Sequence, residues 1–516
     1  MISAAGLILA FFAALVFCQS ALEHELDDAG ITAVFPGSSA YEAASKPFNL
    51  RFDFSPAAVV YPSTVREVST VVHLGHSEKL RVVARGGGVP FLLKSQLWQI
   101  KADSWPLFQH SYIANGLGGE NGVLVIDFSN LTALQYDASS GIATIESGLR
   151  LGDVALALND VGRGLPHGSC PYVGIGGHAA GGGFGFASRM WGLIMDRIVS
   201  MTVVLANGTI TSASNDVNPD LFWALRGAAS SFGIITSMKM STLPAPSYAV
   251  IFSYNWQMKY EDAATSLVKF QEYAMTDIPA EFGAEVVLTK GGEAGNVTFA
   301  ITGGFFGESE AALNNTLGPF LTVMPPPTNI IYTGNGTWIS ALEDLGGGVL
   351  DTHTAGPDGT NTFYAKSLMT PQDDPMTYKA SEAFMKYLAY EGYASDTNWF
   401  MQAELYGGGN SAINAIPVDS TSFATRSALF TIQFYAAAFN NTPPYPDDGF
   451  TFLDRLVSNI TTAMHPGWDY GAYVNYPDDR LRDWQHLYYK SHYRRLEAMK
   501  KQYDPTGVFV FPISIE

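Results

Sequence analysis

Positively charged residues are scarce in this chain of 516 residues. It has 29 Lys and Arg against 48 Asp and Glu, a formal net charge of −19 at pH 7. Because nucleic-acid binding relies on cations that neutralise phosphates, this balance argues against a nucleic-acid partner. A hydrophobic content of 47% with 15% charged residues excludes wholesale disorder, and the length permits two or more domains.

Long hydrophobic runs are also absent. The apolar run from Ala4 to Phe17 is too short to span a bilayer, and small residues at Cys18 and Ser20 suit signal peptidase, although no Lys or Arg precedes the run. We interpret residues 1–20 as a secretory signal peptide, with a buried N-terminal helix as the alternative. Secretion without a membrane anchor also agrees with seven glycosylation sequons, at Asn130, Asn207, Asn296, Asn314, Asn335, Asn440 and Asn459.

Cysteine is nearly missing, with Cys18 and Cys170 as the only two. Removal of the signal peptide leaves one, so the mature chain cannot form an internal disulfide. A lone cysteine in a secreted protein is either a small buried hydrophobe or a reactive thiol, and the count alone leaves both open.

The elements that the pattern predicts favour an α+β protein. Residues 56–88 suggest a βαβ unit whose helix begins after Ser63 or Thr64. Residues 197–214 suggest a hairpin with a type I′ turn at Asn207-Gly208. From about residue 250 to residue 465, helices alternate with very apolar strands. Strands this apolar indicate a sheet that packs against helices on one face and against something less polar than water on the other. Residues 482–504 suggest one terminal helix that stops near Asp504-Pro505.

Glycine is concentrated in "LPHGSCPYVGIGGHAAGGGFGFASRMWGL", residues 165–193. Missing side chains let backbone amides approach a large anionic ligand closely, as in diphosphate-binding loops. The spacing differs from the Rossmann fingerprint, and a purely structural turn explains a glycine-rich loop as well.

This segment, followed by "NPDLFWALRGAASSFGIITSMKMSTLPAP", resembles the FAD-binding (PCMH-type) domain of the vanillyl-alcohol-oxidase superfamily, in its berberine-bridge-enzyme-like branch. With "FNLRFDFSPAAVVYP" and "YVNYPDD", the chain is similar to secreted fungal glucooligosaccharide and chitooligosaccharide oxidases from about Phe48 to Phe511. The resemblance implies a two-part FAD-binding domain, residues 21–248 and 466–516, around an inserted α/β substrate domain, residues 249–465, with an antiparallel sheet covered by helices.

The resemblance also implies FAD held by two covalent bonds, one from a histidine and one from Cys170. Val173 stands where a valine accompanies oxidase behaviour, and His167 and His178 would line the flavin pocket. The flavin-binding positions that we expect are His110, Cys170, Arg85, Gly86, Gly87, Gly88, Ser111, Val173, Gly174, Gly176, Gly177, His178, Gly182, Gly183, Gly233 and Ile234. No metal site is expected.

The histidine is displaced in this chain. The family pattern runs from a glycine triplet directly into His-Ser-Tyr, whereas here Val89 follows Gly88 and "HSYIANGLGG" begins only at His110. The 21 intervening residues, Val89–Gln109, correspond to 63 nucleotides. Every valine codon starts with GT and one of the two glutamine codons ends in AG, so this segment can have the GT…AG ends of an intron. We interpret them as a retained intron, with a genuine loop insertion as the alternative.

The resemblance places the chemistry in the second half of the chain. Tyr476 lies at the position of the catalytic base, and Glu404 at that of its acidic partner, which is aspartate in similar enzymes. Gln402, Gln433 and Asn475 match positions that hold sugar hydroxyls. A further acidic position aligns with Val287 or, after a slip of two residues, with Glu285.

We therefore expect a monomeric, secreted oxidase that converts the C1 hydroxyl of a reducing oligosaccharide to the lactone while O2 becomes H2O2. One alternative is an oxidase of the same fold that acts on a secondary-metabolite alcohol or closes a ring. Another is a flavin- or glycan-binding protein without turnover, against which the presence of both Tyr476 and Glu404 argues.

Overall fold

The N-terminal part of the chain forms a small, mainly parallel sheet. The computed structural model describes residues 21–86, 118–333, 336–353 and 359–516. The first sheet has the order β1-β2-β4-β3, in which β2, β3 and β4 are parallel and β1 is antiparallel. Its strands are β1 (Ala33–Val34), β2 (Ala58–Val60), β3 (Val82–Arg85) and β4 (Leu124–Asp127).

The predicted βαβ unit is confirmed. A helix over Val65–Ser77 connects β2 to β3, and the Thr64 side chain caps it by accepting a hydrogen bond from the Glu67 backbone amide. A second, antiparallel sheet follows with the order β5-β6-β10-β8-β9, and a short pair joins β7 to β11. These strands are β5 (Leu134–Asp137), β6 (Ile142–Glu146), β7 (Arg163–Gly164), β8 (Ile198–Val204), β9 (Ile210–Ser214), β10 (Ile234–Ser241) and β11 (Leu243–Pro244).

Two local predictions are wrong. The β8–β9 hairpin forms, but Gly208 has φ of 83° while Asn207 does not adopt a positive φ, so the turn is not type I′. The terminal helix is interrupted at Lys490, which has φ of 48° and divides it into helices over Trp484–Tyr489 and Tyr493–Tyr503.

A seven-stranded, fully antiparallel sheet occupies the second half of the chain, in the order β15-β12-β14-β13-β17-β18-β16. One face carries apolar side chains that pack with helices such as Tyr260–Ala274, Tyr378–Tyr387 and Asp447–Ala463. Its strands are β12 (Val250–Lys259), β13 (Phe282–Lys290), β14 (Asn296–Phe305), β15 (Asn329–Thr333), β16 (Phe363–Pro371), β17 (Thr397–Leu405) and β18 (Ala428–Ala438).

The opposite face of this sheet is polar at its centre. Side chains alternate between the faces of a strand, so Glu285, Gln402, Glu404, Thr431 and Gln433 all lie on the side away from those helices. This confirms the expected sheet with helices on one face, and its polar side chains point towards the glycine-rich segment.

The remaining helices connect these sheets. No helix in the described part of the chain is long and apolar enough to cross a membrane. Residues 21–28 are helical, and the other helices cover Tyr41–Ser45, Leu151–Asn159, Ile175–Ala180, Ser188–Trp191, Pro219–Ala228, Glu310–Leu321, Trp338–Leu345 and Ala412–Ala415, with a π-helical turn at Leu388–Gly392.

Buried Arg189 joins the two halves. Its guanidinium donates to the backbone oxygens of Gly407, Pro279, Phe282 and Gly409, with the first three at 3.0, 2.9 and 2.5 Å. These carbonyls lie at or near the ends of β13 and β17, so a residue of the glycine-rich segment fixes the two central strands of the polar face.

Candidate active site

A cavity of about 400 Å³ lies between the glycine-rich segment and the polar face of the seven-stranded sheet. It collects residues that are far apart in the chain and that the sequence assigned to cofactor or catalysis. The predicted residues in its wall are Arg85, Gly86, His167, Cys170, Val173, Gly174, Gly176, Gly177, His178, Gly233, Ile234, Gln402, Glu404, Asn475 and Tyr476.

Glycines bring three backbone segments together around Ser147. A Cβ at Gly86 would lie 2.9 Å from the Ser147 carbonyl oxygen and one at Gly176 would lie 3.0 Å from it, whereas one at Gly177 would meet nothing within 4 Å. The Ser147 hydroxyl lines the cavity, is buried and has no hydrogen-bond partner among the described residues. A buried donor of this kind needs a polar ligand, so this wall fits the polar part of FAD.

The Arg85 guanidinium is already engaged. It donates to Asp127 at 2.8 Å and to the Ala44 carbonyl at 2.7 Å. Gly182 and Gly183 are not among the cavity-lining residues, and a Cβ on either would meet the Tyr473 ring or the Ile194 side chain. They shape the loop behind the wall.

Cys170 is buried, at 8% exposure, in the cavity wall. The His178 ring holds the preceding loop, because its Nε2 accepts a hydrogen bond from the Gly168 amide at 3.1 Å. Burial, with a smaller contribution from His167, lowers the pKa of His178 to about 3, so the ring is neutral and acts as an acceptor. His178 therefore positions the segment that carries Cys170.

Four predicted flavin-binding residues, Gly87, Gly88, His110 and Ser111, lie outside the described residues, as does the suspected insertion Val89–Gln109.

Tyr476 and Glu404 meet in the cavity. The Tyr476 hydroxyl donates to Glu404 Oε1 at 2.6 Å, and both residues are buried. Burial raises the pKa of Glu404 well above its usual range, the nearby Glu285 carboxyl raises it further, and the Tyr476 hydrogen bond lowers it. Glu404 Oε2 has no hydrogen-bond partner among the described residues.

Glu285 is the acidic residue that the sequence left ambiguous. It lies opposite Glu404 in the β13–β17 register and lines the cavity, whereas Val287, opposite Gln402, is not among the lining residues. Gln402 Nε2 donates to Glu285 Oε1 at 3.0 Å. Burial raises the pKa of Glu285 to about 8.

The other two predicted sugar-binding residues have different surroundings. Gln433 lies opposite Gln402 in the β17–β18 register, but it is fully buried and is not part of the cavity wall. Asn475 lines the cavity and donates to the His178 carbonyl at 2.9 Å and to the Tyr473 hydroxyl at 3.1 Å. Its amide thus connects the segment that carries Tyr476 to the glycine-rich segment.

Asp478, two residues after Tyr476, escaped the sequence analysis. This buried carboxylate accepts from Lys366 at 2.6 Å, from the Tyr364 hydroxyl at 2.8 Å and from the Arg480 amide at 2.9 Å. The sequence around an aspartate in an irregular segment does not indicate such contacts. Lys366, however, stands among apolar residues of a strand, and this pattern indicates a buried cation that needs an acidic partner.

Two family models agree with this site. A model described as "FAD binding domain" matches residues 108–214, and one described as "Berberine and berberine like" matches residues 472–516. The fold and the cavity thus define an FAD-linked oxidoreductase.

The relatives define the family. The chain is 35% identical to the carbohydrate oxidase of Microdochium nivale over 100% of this chain and 98% of that protein. It is 32% identical to the xylooligosaccharide oxidase of Thermothelomyces thermophilus over 96% and 95%. The chain belongs to the berberine-bridge-enzyme-like family of FAD-linked oxidases.

Solved structures agree over nearly the whole length. A chitooligosaccharide oxidase superimposes with a TM-score of 0.86 at 31% identity, covering 96% of this chain and 99% of that one. The glucooligosaccharide oxidase of Acremonium strictum, described with a 6-S-cysteinyl, 8α-N1-histidyl FAD, gives 0.84 at 31% identity over 96% and 98%. These similarities confirm the predicted α+β fold with its PCMH-type FAD-binding domain and inserted substrate domain.

Proposed function

We propose that this protein oxidises the C1 hydroxyl of reducing saccharides, with oligosaccharides preferred, to lactones and passes the electrons to O2, which forms H2O2. The observation that carries the proposal is the 2.6 Å hydrogen bond from Tyr476 to buried Glu404 in the wall of the cavity that also holds Cys170. The oligosaccharide oxidases among the relatives support the substrate class.

FAD, when bound, supplies the acceptor for the hydride that leaves C1. The chain's own task is to remove the hydroxyl proton. A phenol of ordinary pKa, ~10, is a weak base at neutral pH. Tyr476 therefore passes its proton to Glu404 Oε1 as its oxygen takes the proton of the sugar hydroxyl. Burial brings the pKa of Glu404 closer to that of the phenol, which makes this transfer less unfavourable.

We propose bicovalent FAD, attached through His110 and Cys170. The cavity position of Cys170 and the cysteinyl-histidyl flavin of the glucooligosaccharide oxidase support the attachment. A denatured, washed precipitate should stay yellow, and a colourless one would refute covalent attachment.

Residues 89–109 are proposed to be a retained intron. The match to the FAD-binding family model begins at residue 108, two residues before His110, and this supports the proposal. Sequencing of the transcript decides it, because a cDNA that contains these 63 nucleotides would make the segment a genuine insertion.

Secretion and glycosylation are part of the proposal. Of the predicted sequons, Asn130, Asn207, Asn314, Asn440 and Asn459 are exposed and Asn296 is half-buried, while Asn335 lies outside the described residues. A shift in mass on treatment with an endoglycosidase, measured on protein from the culture medium, tests secretion and glycosylation.

The domain limits that we propose are 21–248 with 466–516 for the FAD-binding domain and 249–465 for the substrate domain. The change from the first three sheets to the seven-stranded sheet supports these limits.

The activity is tested by peroxide release from protein made without residues 89–109. Cello-, malto- and chito-oligosaccharides, xylo-oligosaccharides and lactose should yield peroxide and the corresponding lactones. Yellow, folded protein that forms no peroxide with any of them would contradict the sugar substrate and favour another alcohol.

A further inference from the structure

The cavity contains two carboxyl groups directly opposite each other. Glu285 on β13 and Glu404 on β17 are register partners in an antiparallel pair and both point towards the cavity. Directly opposite residues on one face have Cβ atoms about 5 Å apart, so both carboxyl groups occupy the same small volume.

The pair has little to stabilise two negative charges. Glu285 is 5% exposed and Glu404 is 7% exposed, and no cation of the described residues forms an ion pair with either. Among the described residues, the groups that face the two carboxyl groups are neutral. They are the Gln402 amide, the Tyr476 phenol, the Tyr406 and Tyr473 phenols, and the hydroxyls of Thr302 and Thr431, which flank the pair in the register.

Two buried carboxyl groups at this spacing retain a proton between them, as in other carboxyl pairs. The surroundings select which of them carries it. The phenol of Tyr476 donates to Glu404 at 2.6 Å, a short bond that favours the ionised form, whereas Glu285 receives a longer bond, 3.0 Å, from a neutral amide.

We propose that Glu285 stays protonated throughout turnover and donates a hydrogen bond to an oxygen of the bound sugar, while Glu404 is ionised at the start of each turnover and takes up the proton of Tyr476. This inference rests on the proposed sugar oxidation. The protons balance over a turnover, because the hydroxyl proton moves to Tyr476, the phenol proton moves to Glu404 Oε1, and the reduction of O2 to H2O2 takes one proton up again. FAD, when bound, would supply the acceptor for the C1 hydride. Glu285 neither gains nor loses a proton.

The proposal gives Glu285 a function that a carboxylate cannot perform. An ionised carboxylate only accepts hydrogen bonds, whereas a protonated one also donates. Ring and glycosidic oxygens of a sugar are acceptors without a proton, so they require a donor in the site. The pKa of Glu285, raised to about 8 by burial, agrees with a donor that is present at neutral pH and lost in base.

The test compares Glu285→Gln with Glu281→Gln in the holoenzyme. Glutamine keeps the length and a donor but cannot ionise, and Glu281→Gln is the same substitution at a residue outside the cavity wall. We expect wild-type and Glu281→Gln enzymes to lose about tenfold in kcat/KM for each pH unit above about 8, chiefly through KM, as Glu285 ionises. Glu285→Gln should lack this loss, whatever its activity at neutral pH, because glutamine has no proton to lose in this range.

Infrared difference spectra of the sugar-free holoenzyme between about pH 6 and pH 10 test the proton without turnover. The carbonyl band of a protonated carboxylic acid should disappear in base in wild type and Glu281→Gln, and should be missing in Glu285→Gln. An unchanged band in Glu285→Gln, or a Glu285→Gln profile that falls like that of wild type, would overturn the proposal. If the infrared result holds but no sugar yields peroxide, the proposed function fails while the protonated Glu285 stands.

Discussion

Glu404 offers a direct test of the proposed catalytic pair with Tyr476, because the length and the charge of its side chain can be changed separately. Glu404→Gln keeps the length but cannot take the Tyr476 proton, so flavin reduction should slow by about 10²–10⁴-fold, the usual contribution of a general base. Glu404→Asp keeps the charge but withdraws the carboxylate by one carbon–carbon bond, about 1.5 Å. The 2.6 Å contact then opens to about 4 Å, beyond direct hydrogen bonding.

We expect Glu404→Asp to reduce the rate less than Glu404→Gln, by about 10–100-fold, since a water molecule fits the gap and relays the proton. The assay is anaerobic stopped-flow bleaching of the flavin by sugar, which isolates proton and hydride removal from the reaction with O2. Unchanged flavin absorbance and thermal midpoint show that the variants are folded. A Glu404→Gln enzyme within tenfold of wild type would refute the assignment of Glu404 as proton acceptor.

Three further predictions follow from the same contacts. Cys170→Ser should remove the FAD mass from the proteolytic peptide that contains position 170, and an unmodified wild-type peptide would contradict the thioether. Asp478→Asn removes the 2.6 Å ion pair of the buried Lys366 ammonium and leaves the pair with Asp454 at 3.0 Å. The free energy of unfolding should therefore fall in denaturant titrations by less than the ~3–5 kcal/mol of a fully unpaired buried charge, and kcat should fall because the segment that carries Tyr476 loses its ion pair to Lys366. The pKa of Glu285 is about 8 in the folded protein and 4.5 ordinarily, so folding favours the protonated side chain. The protonated Glu285 therefore adds its full contribution to the free energy of unfolding below pH 4.5, and this contribution is lost as the pH rises through 8. Glu285→Gln should therefore raise the thermal midpoint at pH 8 relative to wild type and change it less at pH 5; the reverse order would contradict a buried, protonated Glu285.

The ambiguity between Glu285 and Val287 shows where sequence reasoning stops. Side chains repeat on the same face of a strand every two residues, so a slip of two preserves every burial pattern and no periodicity can detect it. Only the partner strand decides, and here it pairs Glu285 with Glu404 and Val287 with Gln402. Tyr476 and Glu404 were predictable because their surrounding motifs resemble a family, and not because strand or helix patterns indicate catalysis.

Other differences arise from tertiary contacts. Lys490 interrupts the predicted terminal helix in a segment where its ammonium donates to the Tyr470 carbonyl and to Asp469, contacts that the helical pattern does not contain. Ser147 and Asp478 were not predicted either, since their importance comes from burial beside a cavity and a lysine that are distant in sequence. Local pattern therefore predicted the βαβ unit and the β8–β9 hairpin, but not the polar contacts between distant elements.

The hydrogen bonds of Arg189 bear on protein engineering. This one side chain of the FAD-binding half donates hydrogen bonds to the substrate half only at backbone carbonyl oxygens, those of Gly407, Phe282, Pro279 and Gly409. A chimera that exchanges the substrate sheet with a relative can thus vary every side chain of the polar face, provided that the ends of β13 and β17 keep their paths. Side chains of the polar face can thus be exchanged to change substrate specificity, whereas the position of the proposed base relative to the flavin depends on the backbone at the ends of β13 and β17.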